Sequence, residues 1–192
     1  MKKLLIGSII GGIILFVWSW LAWTLVPIHS DTIQNINNEE AVVTTMNINM
    51  DKKGVYVFPA MPAIHDKDVV DEYNQKYQQG PVGMIIYDPQ GGDPMPPSQM
   101  IVGIIIDILA AFIAGWFLSR STAVASSYLG RVVFCGMLGI FLALLSHLVN
   151  WNWMNYPLDY TTAWALDTII GWVLAGLGIA AIIKVPKTET TN

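Results

Sequence analysis

Four apolar runs, each close to or above the length of a membrane-spanning helix, constrain the fold of this chain more than any other feature. A helix needs about 20 apolar residues to cross roughly 30 Å of hydrocarbon, because each residue adds about 1.5 Å. With 54% hydrophobic and only 12% charged residues, the composition is too apolar for an ordinary soluble domain of 192 residues. The runs cover residues 4–26, 100–118, 132–149 and 163–183. They predict four transmembrane helices.

The first run follows Lys2 and Lys3 and has the position of a secretory signal. Its apolar core is longer than the ~7–15 residues of a signal h-region, and no Ala-x-Ala cleavage site follows Trp23. The run is therefore predicted to remain as a transmembrane helix. The single cysteine, Cys135, lies in the third run, so no intramolecular disulfide is possible.

The basic residues predict the orientation of the spans. One set of helix ends carries six of them: Lys2, Lys3, Arg120, Arg131, Lys184 and Lys187. Segment 27–98 at the other set has four lysines against ten acidic residues. The positive-inside rule therefore places both termini in the cytoplasm, including the tail 184–192, and segment 27–98 outside it, in the periplasm of a Gram-negative host. The acidity of this segment argues against nucleic-acid binding.

Segment 27–98 has the patterns of a small α+β domain. Asn38 with two following glutamates favours a helix over 41–50, although the Val-Val-Thr-Thr sequence there favours a strand. Strands are predicted at 54–59 and 81–87, and between them a helix from Asp68 to Gln79. The predicted fold class is therefore a membrane all-α protein: four transmembrane helices with a small α+β extracytoplasmic domain between helices 1 and 2.

The last three spans, within residues 100–183, are predicted to form a three-helix bundle. Their connections, 119–130 and 150–161, are short, which favours antiparallel packing of consecutive helices. Small side chains let helices approach closely in lipid. The positions expected to pack in this way are Gly7, Gly11, Gly103, Ala111, Gly171 and Gly178. Gly7 and Gly11 form a small-xxx-small motif, which can pack within the chain or between two copies.

Three ionisable residues, Asp107, Asp167 and His147, lie inside or at the edge of the apolar runs. An uncompensated carboxylate in hydrocarbon costs at least about 2.5–3.5 kcal/mol, so such residues normally face protein or water. At 100° per residue, each shares a helix face with small residues, which directs all three into the bundle. The sequence predicts a polar intramembrane cluster near the outer ends of the spans.

Two interpretations of this cluster stay open. The three residues could bind a cation or move a proton. Alternatively, each acid could accept a hydrogen bond from a Trp, Ser or backbone donor on a neighbouring helix and so specify packing. No metal or other cofactor is predicted, because no ligand spacing supports a site. Several methionines with His29 and His65 have the ligand types that suit Cu(I), but lack tight spacing.

The sequence carries no phosphate-binding Gly-Lys-Ser/Thr loop, Gly-x-Ser-x-Gly elbow, His-Glu-x-x-His or Cys-x-x-Cys motif, so no enzymatic activity is predicted. The first functional hypothesis is a non-enzymatic accessory or scaffold subunit of a larger membrane complex. A membrane-protein partner or a second copy is then expected beside the lipid bilayer. The alternative is a small proton- or cation-coupled transporter that uses Asp107, Asp167 and His147.

Three stretches carry a resemblance to known sequences: 2–12 (KKLLIGSIIGG), 38–42 (NEEAV) and 54–59 (GVYVFP). Together they resemble a group of small bacterial inner-membrane proteins that has no assigned function. The resemblance covers most of the chain. It implies a multi-pass protein of the bacterial inner (plasma) membrane and implies nothing about chemistry.

Overall fold

The computed structural model describes residues 1–62, 67–121 and 127–184. The fold is mostly helical with one small two-stranded sheet. In chain order the elements are α1 (Lys2–Thr24), a 3-10 turn (Ser30–Thr32), α2 (Glu39–Asn49), β1 (Gly54–Phe58), α3 (Lys67–Gln79), β2 (Gly83–Tyr87), α4 (Pro97–Arg120), α5 (Tyr128–Leu142), a π-helical segment (Ala143–Leu148), α6 (Val149–Met154) and α7 (Leu158–Ile182).

The chain divides into two compact units, which we call the membrane unit and the inserted domain. The membrane unit consists of Met1–Ile33 and Met95–Asn192, and the inserted domain is Gln34–Pro94. The segment 27–98 that the sequence assigns to the extracytoplasmic side contains this inserted domain and extends beyond it at both ends. The residues around His29 belong with the membrane unit because His29 packs against its helices.

Four helices are long and apolar enough to cross a membrane, as predicted: α1, α4, α7 and the continuous third span Tyr128–Met154. The third span is longer than its apolar run of 132–149 at both ends. Ser127 caps its start, since its side chain accepts a hydrogen bond from the Gly130 N–H at 2.9 Å. A helix can thus begin before its apolar run when a capping side chain satisfies its first N–H groups.

The spans do not pack in the order of the chain. Helix α1 packs against both α4 and α7, and α7 also packs against α5, whereas α4 touches α5 and α7 only marginally. This arrangement differs from the predicted three-helix bundle of residues 100–183, in which α4 and α5 would be close neighbours. The glycine faces of α1 explain the difference, because they let the first span lie between α4 and α7.

Close approaches at small residues hold the membrane unit together. A Cβ added to Gly11 would lie 2.6 Å from Ile179 Cγ1, and one added to Gly178 would lie 2.5 Å from Ile14 Cδ1. Gly7 and Gly171 are similarly tight, at 2.9 Å from their nearest neighbouring side-chain atoms. Gly103 is looser, with Phe16 as its nearest neighbour at 3.6 Å. The fully buried core of these contacts contains Ala111, Leu118, Cys135, Ala175 and Ile179.

Arg131 is buried rather than exposed at a helix end. Its side chain is 6% exposed, and its Nε donates a hydrogen bond to the Ala180 carbonyl oxygen at 3.1 Å. Ala180 lies in the last turn of α7, where backbone carbonyls lack helical partners and the helix dipole favours a positive charge. The residue that sequence analysis used only as a topology signal therefore also joins α5 to α7.

The inserted domain is built on β1 and β2, which pair antiparallel with Val55 opposite Ile86. Helix α3 connects the two strands, and it ends before Gly80, whose φ of +66° is readily accessible to glycine. Helix α2 corresponds to the helix predicted over 41–50. The side chain of Asn38 caps its start and accepts a hydrogen bond from the Ala41 N–H at 3.2 Å. This N-cap prevails over the strand propensity of the residues that follow.

Two lysines of the inserted domain form exposed ion pairs with acids. Lys53 Nζ lies 2.7 Å from Asp88 Oδ2, and Lys76 Nζ lies 2.6 Å from Glu72 Oε1. The hydrogen bonds from these lysines hold the pKa of Asp88 and the pKa of Glu72 below their usual ranges. Because both acids are solvent-exposed, the pairs add little to the free energy of unfolding.

We expect Lys53→Ala to raise the pKa of Asp88 while leaving the melting temperature nearly unchanged. The Gln90 N–H still bonds Asp88, so the pKa returns only partly to its usual value. Since the folded-state pKa is lowered, the small stabilisation is present above the ordinary aspartate pKa and is lost as the pH falls through the lowered value. A pH titration of carboxyl chemical shifts in the full chain measures this. Lys52→Ala is the matched control and leaves the Asp88 titration unchanged.

Candidate functional site

Asp167 is the centre of a buried polar network at the end of the membrane unit where α1 ends and α7 begins. Its side chain is only 12% exposed. Oδ1 accepts a hydrogen bond from Trp18 Nε1 at 2.6 Å, and Oδ2 lies 3.1 Å from His29 Nε2. The same indole N–H also lies 3.2 Å from the Asp167 carbonyl oxygen. Both carboxylate oxygens therefore have partners, and these come from α1 and from the segment just after it.

Indole rings enclose the imidazole of His29, which is 3% exposed. It stacks on Trp23, with ring centroids 4.3 Å apart and an interplanar angle of 8°. Trp164 of α7 meets it edge-on, at 5.2 Å between ring centroids and 62°. With Nε2 directed at Asp167, the buried Nδ1 finds no hydrogen-bond partner in the described part of the chain. The pair is thus a carboxylate–imidazole contact in an aromatic enclosure.

His147 joins the same aromatic cluster from the third span. It lies in the π-helical segment Ala143–Leu148, a geometry that often occurs at functional sites. Its Nε2 is 2.8 Å from Thr168 Oγ1, and its Nδ1 is 3.4 Å from the Ser146 hydroxyl. The centroid of its ring is 5.9 Å from that of Trp164. Trp164 therefore contacts both histidines.

Asp107 stands outside this hydrogen-bond network. It shares a helical stripe with Ala111, Ala114 and Leu118, which are at most 1% exposed, so it lies on the side of α4 that faces the bundle. Its side chain is nevertheless only half-buried. Across residues 1–62, 67–121 and 127–184, no hydrogen bond or ion pair involves this carboxyl group. Of the three predicted residues, Asp167 and His147 meet at the aromatic cluster, and Asp107 is not hydrogen-bonded to either.

Trp18 and His29 were not predicted as hydrogen-bond partners of Asp167, nor was Trp164 predicted to contact both histidines. A signal for Trp18 existed, because it is seven residues after Gly11 and so shares the face of α1 that packs on α7. His29 follows the helix in a turn and carries no periodic signal. His65, the other histidine of the copper interpretation, lies outside the described residues.

A cleft of about 210 Å³ opens beside His147, between the third span and the start of α7. In the described chain, no hydrogen bond involves the side chains of Asn150, Tyr156 or Tyr160. The buried Nε1 of Trp164 likewise lacks a partner there. The lining residues are Ser146, His147, Asn150, Tyr156, Tyr160, Thr161 and Trp164. The cleft thus combines aromatic rings with unpaired polar groups.

The geometry limits the chemistry that these residues can perform. The hydroxyls of Ser146 and Thr168 contact His147, but among the described residues the imidazole nitrogens of His147 bond these two hydroxyls and no carboxylate. A nucleophile–base pair normally has a third group that orients the base. Within the ranges that the structure describes, no group of three or more His, Cys, Asp or Glu side chains could hold a metal ion. Comparisons with protein-family models, curated proteins and solved structures found no match for this chain.

Proposed function

We propose that this chain is a non-enzymatic accessory or scaffold subunit of a larger complex in the bacterial inner membrane, with both termini cytoplasmic. One observation carries the proposal: Asp107 lies in a membrane-length helix and has no polar partner in the described part of the chain. A carboxylate in that environment requires a compensating donor. In an assembly, the donor comes from a transmembrane helix of another subunit.

The packing of α4 leaves room for such a helix. Helix α4 is held almost entirely by α1 and touches α5 and α7 only marginally, so much of its surface is left for another helix. The flank of α4 beside Asp107 carries Ala110, which is partly exposed and small enough to allow a close helix approach. We expect the partner helix to carry a Lys, Arg or other hydrogen-bond donor opposite Asp107.

The hydrogen bonds around Asp167 support a structural role for this acid and its partners. Trp18 and His29 occupy both oxygens of Asp167, which ties α1 and the following turn to α7. This is the packing interpretation of an intramembrane acid, in which the hydrogen bond fixes the helix pairing. The proposed orientation follows from the positive-inside rule. The basic residues at the ends of the spans lie away from the Asp167 network: Lys2, Lys3, Arg120, Arg131 and Lys184.

A proton- or cation-coupled transporter is the second candidate, and Asp107 favours it too. An unpaired carboxyl group inside a bundle is a group that a proton or cation could occupy. In that case Asp107 binds the ion in the free chain and needs no partner helix. His147 and Asp167 would then contribute to the path through the aromatic cluster.

Photo-crosslinking in native membranes distinguishes the two functions. A photoreactive amino acid introduced at Ala110 lies on the Asp107 flank, whereas one at Leu109 points to the opposite side of α4. We expect Ala110, but not Leu109, to form an adduct with a membrane protein whose spanning helix carries a donor. Asp107→Leu is expected to reduce the adduct about tenfold, because the buried donor of the partner loses its acceptor.

If Asp107→Leu stays folded but loses the adduct, the result supports the proposal that this chain is a subunit of a larger complex. Equal adducts from Ala110 and Leu109, or an adduct that survives Asp107→Leu, contradict it. Proton- or cation-driven flux in liposomes of the purified chain that disappears in Asp107→Asn identifies the transporter instead. Asp159→Asn, which alters an exposed acid in the first turn of α7, is the control in both experiments.

A further inference from the structure

We propose that the cleft beside His147 binds an uncharged membrane lipid with a flat ring that bears hydrogen-bond acceptors, the chemistry of a quinone. The site goes beyond the proposed subunit function and does not depend on Asp107. It is built from the π-helical segment, α6 and the first turns of α7, all within the membrane unit.

Polar side chains without a hydrogen-bond partner among the described residues line this cleft. They are the hydroxyls of Tyr156 and Tyr160 and the amide of Asn150, and all three residues are partly exposed. Each of these groups can donate a hydrogen bond to a bound molecule. A ligand that presents acceptor oxygens, such as ring carbonyls, can accept these hydrogen bonds.

The charge of the lining selects a neutral ligand. Among the described residues, no Lys, Arg, Asp or Glu lines the cleft, so a phosphate or carboxylate finds no counter-ion there. The nearest buried acid of the network, Asp167, is already engaged by Trp18 and His29. This argues for a ring with carbonyl acceptors.

The aromatic rings and the size of the cleft fit a flat ring. Tyr160 contacts both Tyr156, at 5.7 Å between ring centroids, and Trp164, at 5.8 Å. Such rings pack against a flat ligand by offset stacking or edge contacts. The cleft volume of about 210 Å³ is enough for a single substituted ring.

Exposed apolar side chains beside the cleft can contact the apolar tail of such a lipid. Leu145, Leu148 and Val149 are respectively 58%, 38% and 41% exposed on the third span. They precede or adjoin Asn150 in the sequence and lie on a helix of membrane-spanning length. A tail that leaves the cleft over these side chains enters the hydrocarbon without crossing a polar surface.

Binding of a short-chain ubiquinone to the purified full chain tests the proposal. The protein is placed in nanodiscs of phosphatidylethanolamine and phosphatidylcholine, and binding is followed by calorimetry. We expect saturable binding of one molecule per chain. Asn150→Leu and Tyr160→Phe are each expected to weaken it about tenfold, because each removes a hydrogen-bonding group. Trp153→Phe is the matched control, since Trp153 is 73% exposed and does not line the cleft.

The reactivity of the buried Cys135 thiol checks that each variant is folded. Partitioning of the quinone into empty nanodiscs is measured separately and subtracted. Binding that does not saturate, or that is equal in wild type and both folded cleft variants, overturns the proposal. Saturable binding of an alkyl glucoside that the quinone does not displace also overturns it, in favour of a sugar-bearing lipid. None of these outcomes changes the Ala110 crosslink, so the subunit proposal is tested separately.

Discussion

Gly12→Ala is expected to separate α1 from α4 and to leave little folded protein. The added Cβ would lie 2.6 Å from both the backbone N and the Cα of Ile108. Backbone atoms cannot rotate away as a flexible side chain can, so the helices must move apart. Overpacking of this kind costs about 1–3 kcal/mol and sometimes more. The effect is large here because α1 is the main support of α4.

The single cysteine measures this loss directly. Cys135 is 0% exposed in the core, so a thiol-reactive dye labels it only when the membrane unit opens. We expect Gly12→Ala to label rapidly and to melt at a much lower temperature in detergent. Gly103→Ala is the matched control at the same helix pair, because its new Cβ meets Phe16 at an ordinary 3.6 Å. Equal melting of the two variants would refute the close-contact explanation.

Asp167→Leu is expected to have the second-largest effect, because it leaves two buried donors without their acceptor. Trp18 loses a 2.6 Å hydrogen bond, and His29 loses its 3.1 Å contact. Each group left unpaired costs about 1–3 kcal/mol, although hydrogen bonds between membrane helices are worth less on average, about 0.6 kcal/mol. We therefore expect a destabilisation of about 2–4 kcal/mol.

A double-mutant cycle isolates the contact between α1 and α7. Trp18→Phe keeps most of the ring but removes the indole N–H, and Asp167→Asn keeps the shape of the carboxyl group. We expect a coupling of about 0.5–2 kcal/mol between the two changes. Trp20→Phe is the control, since Trp20 is 47% exposed and its side chain bonds no acid within the described part of the chain. Strict additivity of Trp18→Phe and Asp167→Asn would show that the hydrogen bond contributes nothing to stability.

Much of the secondary structure follows from local signals. Each apolar run is long enough to require a helix in lipid, and all four lie largely within the observed spans. The side chain of Asn38 caps the start of α2, and Gly80, with its positive φ, follows the end of α3. Small residues such as Gly11 and Gly178 could be assigned to helix contacts because their spacing is periodic. These features depend on residues close together in the chain.

The partners of the polar residues could not be obtained in this way. The identity of an intramembrane acid indicates that it needs a partner, but the partner of Asp167 comes from residues 18 and 29, more than 130 positions away. His147 was predicted to face the bundle, but it makes its hydrogen bond to Thr168 and its contact with Trp164 from a π-helical segment, which a regular 100° repeat does not anticipate. Asp107, with the same local signal as Asp167, has no such partner within the described chain.

By itself, the sequence determined that this chain has four helices long and apolar enough to cross a membrane. It also indicated the approximate positions of the helices and strands in the inserted domain, and which helix faces carry small residues. Hydrophobic length, capping and periodicity are properties of neighbouring residues, so they can be read without coordinates. The tertiary structure alone decided that α1 lies between α4 and α7, and that, among the described residues, Asp167 has hydrogen-bond partners whereas Asp107 has none. Those outcomes depend on contacts of a few ångströms between residues that are far apart in the sequence. Such contacts form only when the helices pack, so no local pattern reveals them.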